Sequence, residues 1–153
     1  MKVLALLAAV IASACTTTAV SAPASAPAAG GGKDITILAG DGAVMRPIAN
    51  GGRVPLRSGW ATITLSPVPL AETGQLRVSV FDAEGRQTEA DVFVDYASID
   101  MDHGHTVEHG VLRENCYQMP LSFAMPGSWR LMIHVVRGAT DETVTVVLPE
   151  VGL

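Results

Sequence analysis

From about residue 60 onward, hydrophobic and polar positions alternate with period two, and no stretch repeats at helical spacing. In Trp60 to Ser66 the residues Ala61, Ile63 and Leu65 share one face, and Trp60, Thr62 and Thr64 the other. Leu76, Val78 and Val80 alternate with Arg77 and Ser79. Val92, Val94 and Tyr96 line one side of Ala90 to Ile99. The same rhythm runs through Tyr117, Met119, Leu121, Phe123 and Met125, then Trp129, Leu131, Ile133 and Val135, then Val144 and Val146. Successive side chains of a strand point to opposite faces, so each run reads as a strand with one face on a shared core. Trp60 and Trp129 are read as core anchors, and Met119 as a core residue.

The connectors carry turn chemistry. Asp82 to Arg86 contains Gly85, which is free to take positive φ, and Pro126-Gly127 suits a type II turn. Ser66 to Gly74 reads as a proline-broken crossover, and "DITIL" (Asp34 to Leu38) as an added edge strand. Short strands and turns at this spacing predict an all-β fold, an immunoglobulin-like antiparallel β-sandwich of about seven strands.

The front of the chain breaks the pattern. "MKVLALLAAVIASAC" is a lysine, an apolar run and small residues, which reads as a secretory signal peptide over residues 1–15. The apolar run falls short of the ~20 residues that a membrane-spanning helix needs. Two processing sites compete. "IASAC" resembles a lipobox with Cys15 as the lipidated residue, although Ala12 stands where Leu is usual; cleavage after Ala22 is the alternative, although Pro23 would follow the cut. The lipoprotein reading is favoured, and it places the domain in the periplasm or cell envelope, on a membrane surface. Residues 16–32 are Ala, Ser, Thr, Pro and Gly with little to bury, a disordered tether. The folded domain is expected over residues 33–153.

Net charge is −5, and it becomes more negative once Lys2 leaves with the leader. No basic stripe exists, which argues against nucleic acid as a partner. The chain has 2 cysteines. With Cys15 lipidated or removed, Cys116 has no partner for an intramolecular disulfide.

Met101 to His109, "MDHGHTVEH", holds three of the chain's 4 histidines. Copper(I) favours thioether, thiolate and imidazole ligands. In an extended segment Met101, His103 and His105 point to one side, with Cα atoms ~6.5–7 Å apart in succession. Gly104 lets both imidazoles turn inward, and His109 is a possible fourth ligand. Cys116 and Met125 are weaker candidates. The competing reading is a solvated polar turn between two strands, with Met101 capping the core. His134 reads as a solvent-facing strand residue. No nucleophile elbow, phosphate loop or His-Glu-x-x-His helix occurs, so no enzyme activity is expected.

The runs "DVFVDYASIDMDHGH" and "LRENCYQMPLSFAMPGSWRLMIHV" resemble the YtkA-like domain, related to FixH-like proteins. Met101, His103 and His105 match that family's loop, Tyr117 its aromatic position, and Phe123, Met125, Gly127 and Trp129 its last pattern. The likeness covers Gly59 to Val136. It departs at Asp102, where a proline often follows the Met, and at Cys116, where a glycine is usual. The resemblance implies a small exported or membrane-tethered β-sandwich. It also implies association with copper-handling or oxidase-assembly proteins of the membrane, hence a copper ion as cargo. A metal-free module docking on a membrane complex is the alternative.

Overall fold

The computed structural model describes residues 37–40, 44–67, 70–102 and 104–152. The leader, with Cys15, and the tether lie outside them. The described strands belong to one compact unit, Gly31–Leu153.

Among the described residues eleven strands form, all pairing antiparallel. They are β1 (Ile37–Gly40), β2 (Met45–Ile48), β3 (Arg53–Leu56), β4 (Gly59–Ser66), β5 (Thr73–Asp82), β6 (Asp91–Ser98), β7 (Thr106–His109), β8 (Val111–Arg113), β9 (Cys116–Ser122), β10 (Gly127–Arg137) and β11 (Thr140–Val151). One sheet has the order β2-β1-β11-β10-β6-β7 and the other β3-β4-β5-β9-β8. Among the described residues none is helical, so no helix there is long and apolar enough to cross a membrane.

The antiparallel β-sandwich expected from the alternation is therefore what the chain forms. The inward positions are those the pattern selected: Ile63, Leu76, Val78, Val80, Val92, Val94, Met119, Leu131, Ile133, Val135, Val146 and Leu148 are each at most 1% exposed. Tyr96, Phe123 and Trp129 form an aromatic trio in this core with ring centroids 5.1–6.1 Å apart, and Phe123 meets both of the others edge-on, a geometry that aromatic quadrupoles favour.

The strand count differs from about seven because β1, β2, β3, β7 and β8 are only three or four residues long. A period-two signal does not rise above chance in so short a window. β1 is not an edge either: it lies between β2 and β11. Ser66 to Gly74 is no crossover, since β4 and β5 are direct partners, Ser66 opposite Gln75. The Pro126-Gly127 segment carries the chain from the second sheet to the first, and Gly127 has φ +136°, outside the range of a type II turn. Gly85 does take positive φ, +84°. Trp60 is not a core residue. It is half-buried on the outer face of the second sheet, stacked on Phe81 at 5.5 Å, because alternation gives the inside to Ala61, Ile63 and Leu65.

Gly110 is where the chain steps between sheets, from β7 to β8. A Cβ there would lie 2.8 Å from the carbonyl oxygen of Val92 and 3.0 Å from Cβ of Tyr117. The Gly110 N–H donates to that same carbonyl at 2.7 Å. Only a residue without a side chain fits a step this close to both sheets.

Candidate metal centre at the edge of the first sheet

The nine-residue histidine segment divides in two. Met101 to His105 form the connection after β6, and Thr106–His109 form β7, the edge strand. His109 is thus a strand residue, not a loop residue. His103 lies outside the described residues.

The connection is anchored at its start. Ser98 Oγ accepts the N–H groups of Asp100 and Met101 at 3.2 and 3.3 Å. Asp100 Oδ2 accepts the Ser128 N–H at 2.8 Å, tying the loop to β10. Met101 is 50% exposed and does not cap the core. Gly104 has φ +78° with nothing near the place of a side chain, so the backbone turns freely there.

His105 meets a partner that the sequence reading did not single out. Its Nδ1 lies 3.0 and 2.9 Å from the two carboxylate oxygens of Asp95 on β6. A carboxylate can only accept, so it takes the Nδ1–H, and in the neutral ring the lone pair then lies on Nε2. The His105 side chain is 67% exposed and that of Asp95 18%. Register makes this possible: Thr106 pairs with Tyr96 and Val107 with Asp95. The sequence signal would have been the period-two placement of Asp95 on the outer face beside Phe93, had β7 been recognised as its neighbour.

A second feature runs across the outer face. His109 sits opposite Phe93, Phe93 opposite His134, and His134 opposite Thr143. Directly paired residues share a face, so the four side chains form one row. The Phe93 ring stacks on His134 at 4.4 Å with 5° between planes, and meets His109 at 5.4 Å with the planes tilted by 36°. His134 Nδ1 lies 3.0 Å from Asp141 Oδ2, a second carboxylate–imidazole pair.

Cys116 and Met125 are placed differently. Cys116 is on the outer face of the second sheet yet only 5% exposed. Arg77 Nε and Nη2 both donate to its Sγ at 3.3 Å, and the thiol donates to the Arg113 carbonyl at 3.3 Å. Those hydrogen bonds to Sγ raise the Arg77 guanidinium above its ordinary value. Because the two outer faces point in opposite directions, Cys116 does not join His105 and His109. Met125 packs against the core, and its carbonyl accepts the Trp129 Nε1–H at 3.2 Å. Among the described residues no three His, Cys, Asp or Glu side chains gather into one group.

Comparison with known proteins adds nothing to this geometry: no family model, no curated protein and no solved structure matches the chain.

Proposed function

We propose that the protein is an exported, lipid-anchored copper carrier that holds its ion on Met101, His103 and His105, His109 lying four strand residues, ~13 Å, beyond His105. The observation that carries this reading is the Asp95–His105 pair at 2.9 Å. A histidine that ligates a metal commonly gives its other ring N–H to a carboxylate, which fixes the tautomer and makes the free nitrogen a stronger donor. His105 has this arrangement, with its ring largely in solvent. The exposed thioether of Met101 stands on the same connection, and imidazole with thioether is a donor set that suits copper(I). The likeness of "MDHGH" and "FAMPGSW" to the YtkA-like domain supports the same cargo.

The test is an anaerobic titration with Cu(I) against a competing chelator, beside Cu(II) and Zn(II), on the chain and on the His103→Ala/His105→Ala variant. Stoichiometric copper lost in the variant supports the carrier. Equal affinity in both proteins removes it.

A metal-free interaction module is the second reading. The observation in its favour is that Val107, Val111 and Leu112 are 45%, 54% and 48% exposed along β7 and β8, the strands that end the two sheets on one side. Unpaired edge strands with apolar side chains are surfaces on which another chain can add. A membrane partner retained after both histidines are replaced, with no metal present, would favour it.

A further inference from the structure

His105 and His109 share the outer face of the first sheet, yet four strand residues put their Cα atoms ~13 Å apart, too far to share an ion within one chain. A second copy of the chain would close that distance, and the open edge at β7 is built to receive one.

Among the described residues β7 pairs with β6 alone, and it ends the first sheet. Bonded and unbonded positions alternate along an antiparallel pair. In register with the β6–β7 pairs, the Gly110 N–H donates to the Val92 carbonyl at 2.7 Å. Gly110, Glu108 and Thr106 therefore turn their backbone groups toward β6. The N–H and C=O groups of His105, Val107 and His109 point the other way, to the open edge. The same three residues are exposed and carry their side chains on the outer face.

Along the edge these residues form a palindrome, His-x-Val-x-His. An antiparallel copy laid on it about a two-fold axis at Val107 bonds through those outward groups. Val107 then meets the partner's Val107, Thr106 meets the partner's Glu108, and His105 meets the partner's His109. An axis at Glu108 would set that carboxylate against its own copy, which like charge disfavours. An axis at Thr106 would set His105 against a valine. Charge and side-chain match both select the axis at Val107.

Residues opposite each other in a bonded pair have Cα atoms ~5.5 Å apart and side chains on one face. Histidines four apart on a helix, a known metal-binding pair, are spaced about as closely, ~5–6 Å between Cβ atoms. His105 gives its Nδ1–H to Asp95 at 2.9 Å and keeps the Nε2 lone pair for an ion. The His109 side chain makes no hydrogen bond among the described residues, and its ring meets Phe93.

We propose that two copies of the chain join antiparallel through β7 and hold two copper ions between them, each on His105 of one copy and His109 of the other. This rests on the carrier reading and completes its donor set from the second copy. The paired segment is short, so backbone bonds alone hold it weakly, and the ions make the dimer.

The test uses the chain carrying Cys15→Ala, so that no acyl group drives association. Anaerobic sedimentation velocity at micromolar concentration reads the mass with and without one equivalent of Cu(I), and chelator competition reads the affinity. A monomer without copper and a dimer with it are expected. His109→Ala should stay monomeric and bind Cu(I) about tenfold more weakly or worse, at least what the loss of an outer-shell group costs. Val107→Lys, which sets two ammonium groups face to face on the axis, should also stay monomeric. The sharpest arm mixes His105→Ala with His109→Ala. Neither variant alone has a complete pair, but a mixed dimer has one. Mixing should therefore restore the dimer and tight binding of one ion in each mixed dimer. A copper-bound monomer whose affinity His109→Ala leaves unchanged would overturn the proposal and leave the carrier reading standing. So would a dimer that His109→Ala leaves intact, or a mixture that binds no better than its parts. Absence of Cu(I) binding by the parent chain would remove both.

Discussion

Arg77 brackets the sulfur of Cys116, with Nε and Nη2 each 3.3 Å from Sγ. The thiol is 5% exposed beneath it, so a reagent must displace the side chains over the sulfur or wait for β9 to open. Labelling by a maleimide is therefore expected to be slower in the native chain than in the denatured chain by on the order of 100-fold. Arg77→Ala should recover roughly tenfold of that rate, since it removes the lid and leaves the strand paired. Timed mass spectrometry of the labelled chain reads both. Labelling as fast as in denaturant would contradict the burial.

Asp95→Asn tests the carboxylate's role at His105. The amide cannot draw the Nδ1 proton as a carboxylate does. Copper affinity should fall about 10–100-fold, while unfolding should shift by no more than ~1 kcal/mol, because the pair is a surface one. Competition titration and chemical denaturation read the two effects separately. A stability loss with unchanged affinity would make the pair a strand clamp only.

Glu142 is the buried acid of the core margin, 8% exposed on β11. Its two oxygens accept the Arg57 N–H at 2.9 Å and the Ser58 hydroxyl at 2.8 Å. It thereby joins the first sheet to the turn between β3 and β4 of the second. Glu142→Ala should cost about 1–3 kcal/mol in denaturant unfolding, for it removes two hydrogen bonds worth roughly 0.5–1.5 kcal/mol each. Glu142→Gln keeps one acceptor oxygen and should cost less.

Glu114 and Asn115 make the two-residue turn between β8 and β9 with φ of +47° and +63°. Both positive values match the twist of a hairpin, and asparagine tolerates them where glutamate does not. Glu114→Gly should raise stability by about 0.4–1 kcal/mol despite its entropy in the unfolded chain. A lower melting temperature would show that the glutamate side chain contributes something the backbone strain hides.

Asp82 gives the expected acid response. Partial burial pushes its carboxyl up, but hydrogen bonds from the Arg86 N–H and Nε, each 2.8 Å, together with the Arg86 charge, hold it below the usual 3.8. A carboxyl lowered in the folded state favours folding above its unfolded value. That contribution fades as pH falls through the folded value. Asp82→Asn should therefore melt lower than the parent at neutral pH, and the two curves should converge in acid below the folded value. Parallel curves down to the lowest pH would contradict the shift.

Much of this protein was legible before any coordinates. Alternation by itself selected Val92, Val94, Leu131, Ile133 and Val135 as buried, because a strand's side chains have only two directions to point. The clustering of Met101, His105 and His109 was also visible, as a matter of residue types. Whether such side chains meet a partner was not. Asp95 and His105 are ten residues apart and Arg77 and Cys116 thirty-nine apart, and they become neighbours only through register. Register depends on which strands pair and where each turn closes, and period two is blind to both. The same holds for Trp60, which looked like a core anchor until its inward neighbours claimed the inside. Sequence decided which face each residue takes; tertiary structure decided what stands opposite it, because pairing is settled by the packing of the whole sandwich and not by any one strand.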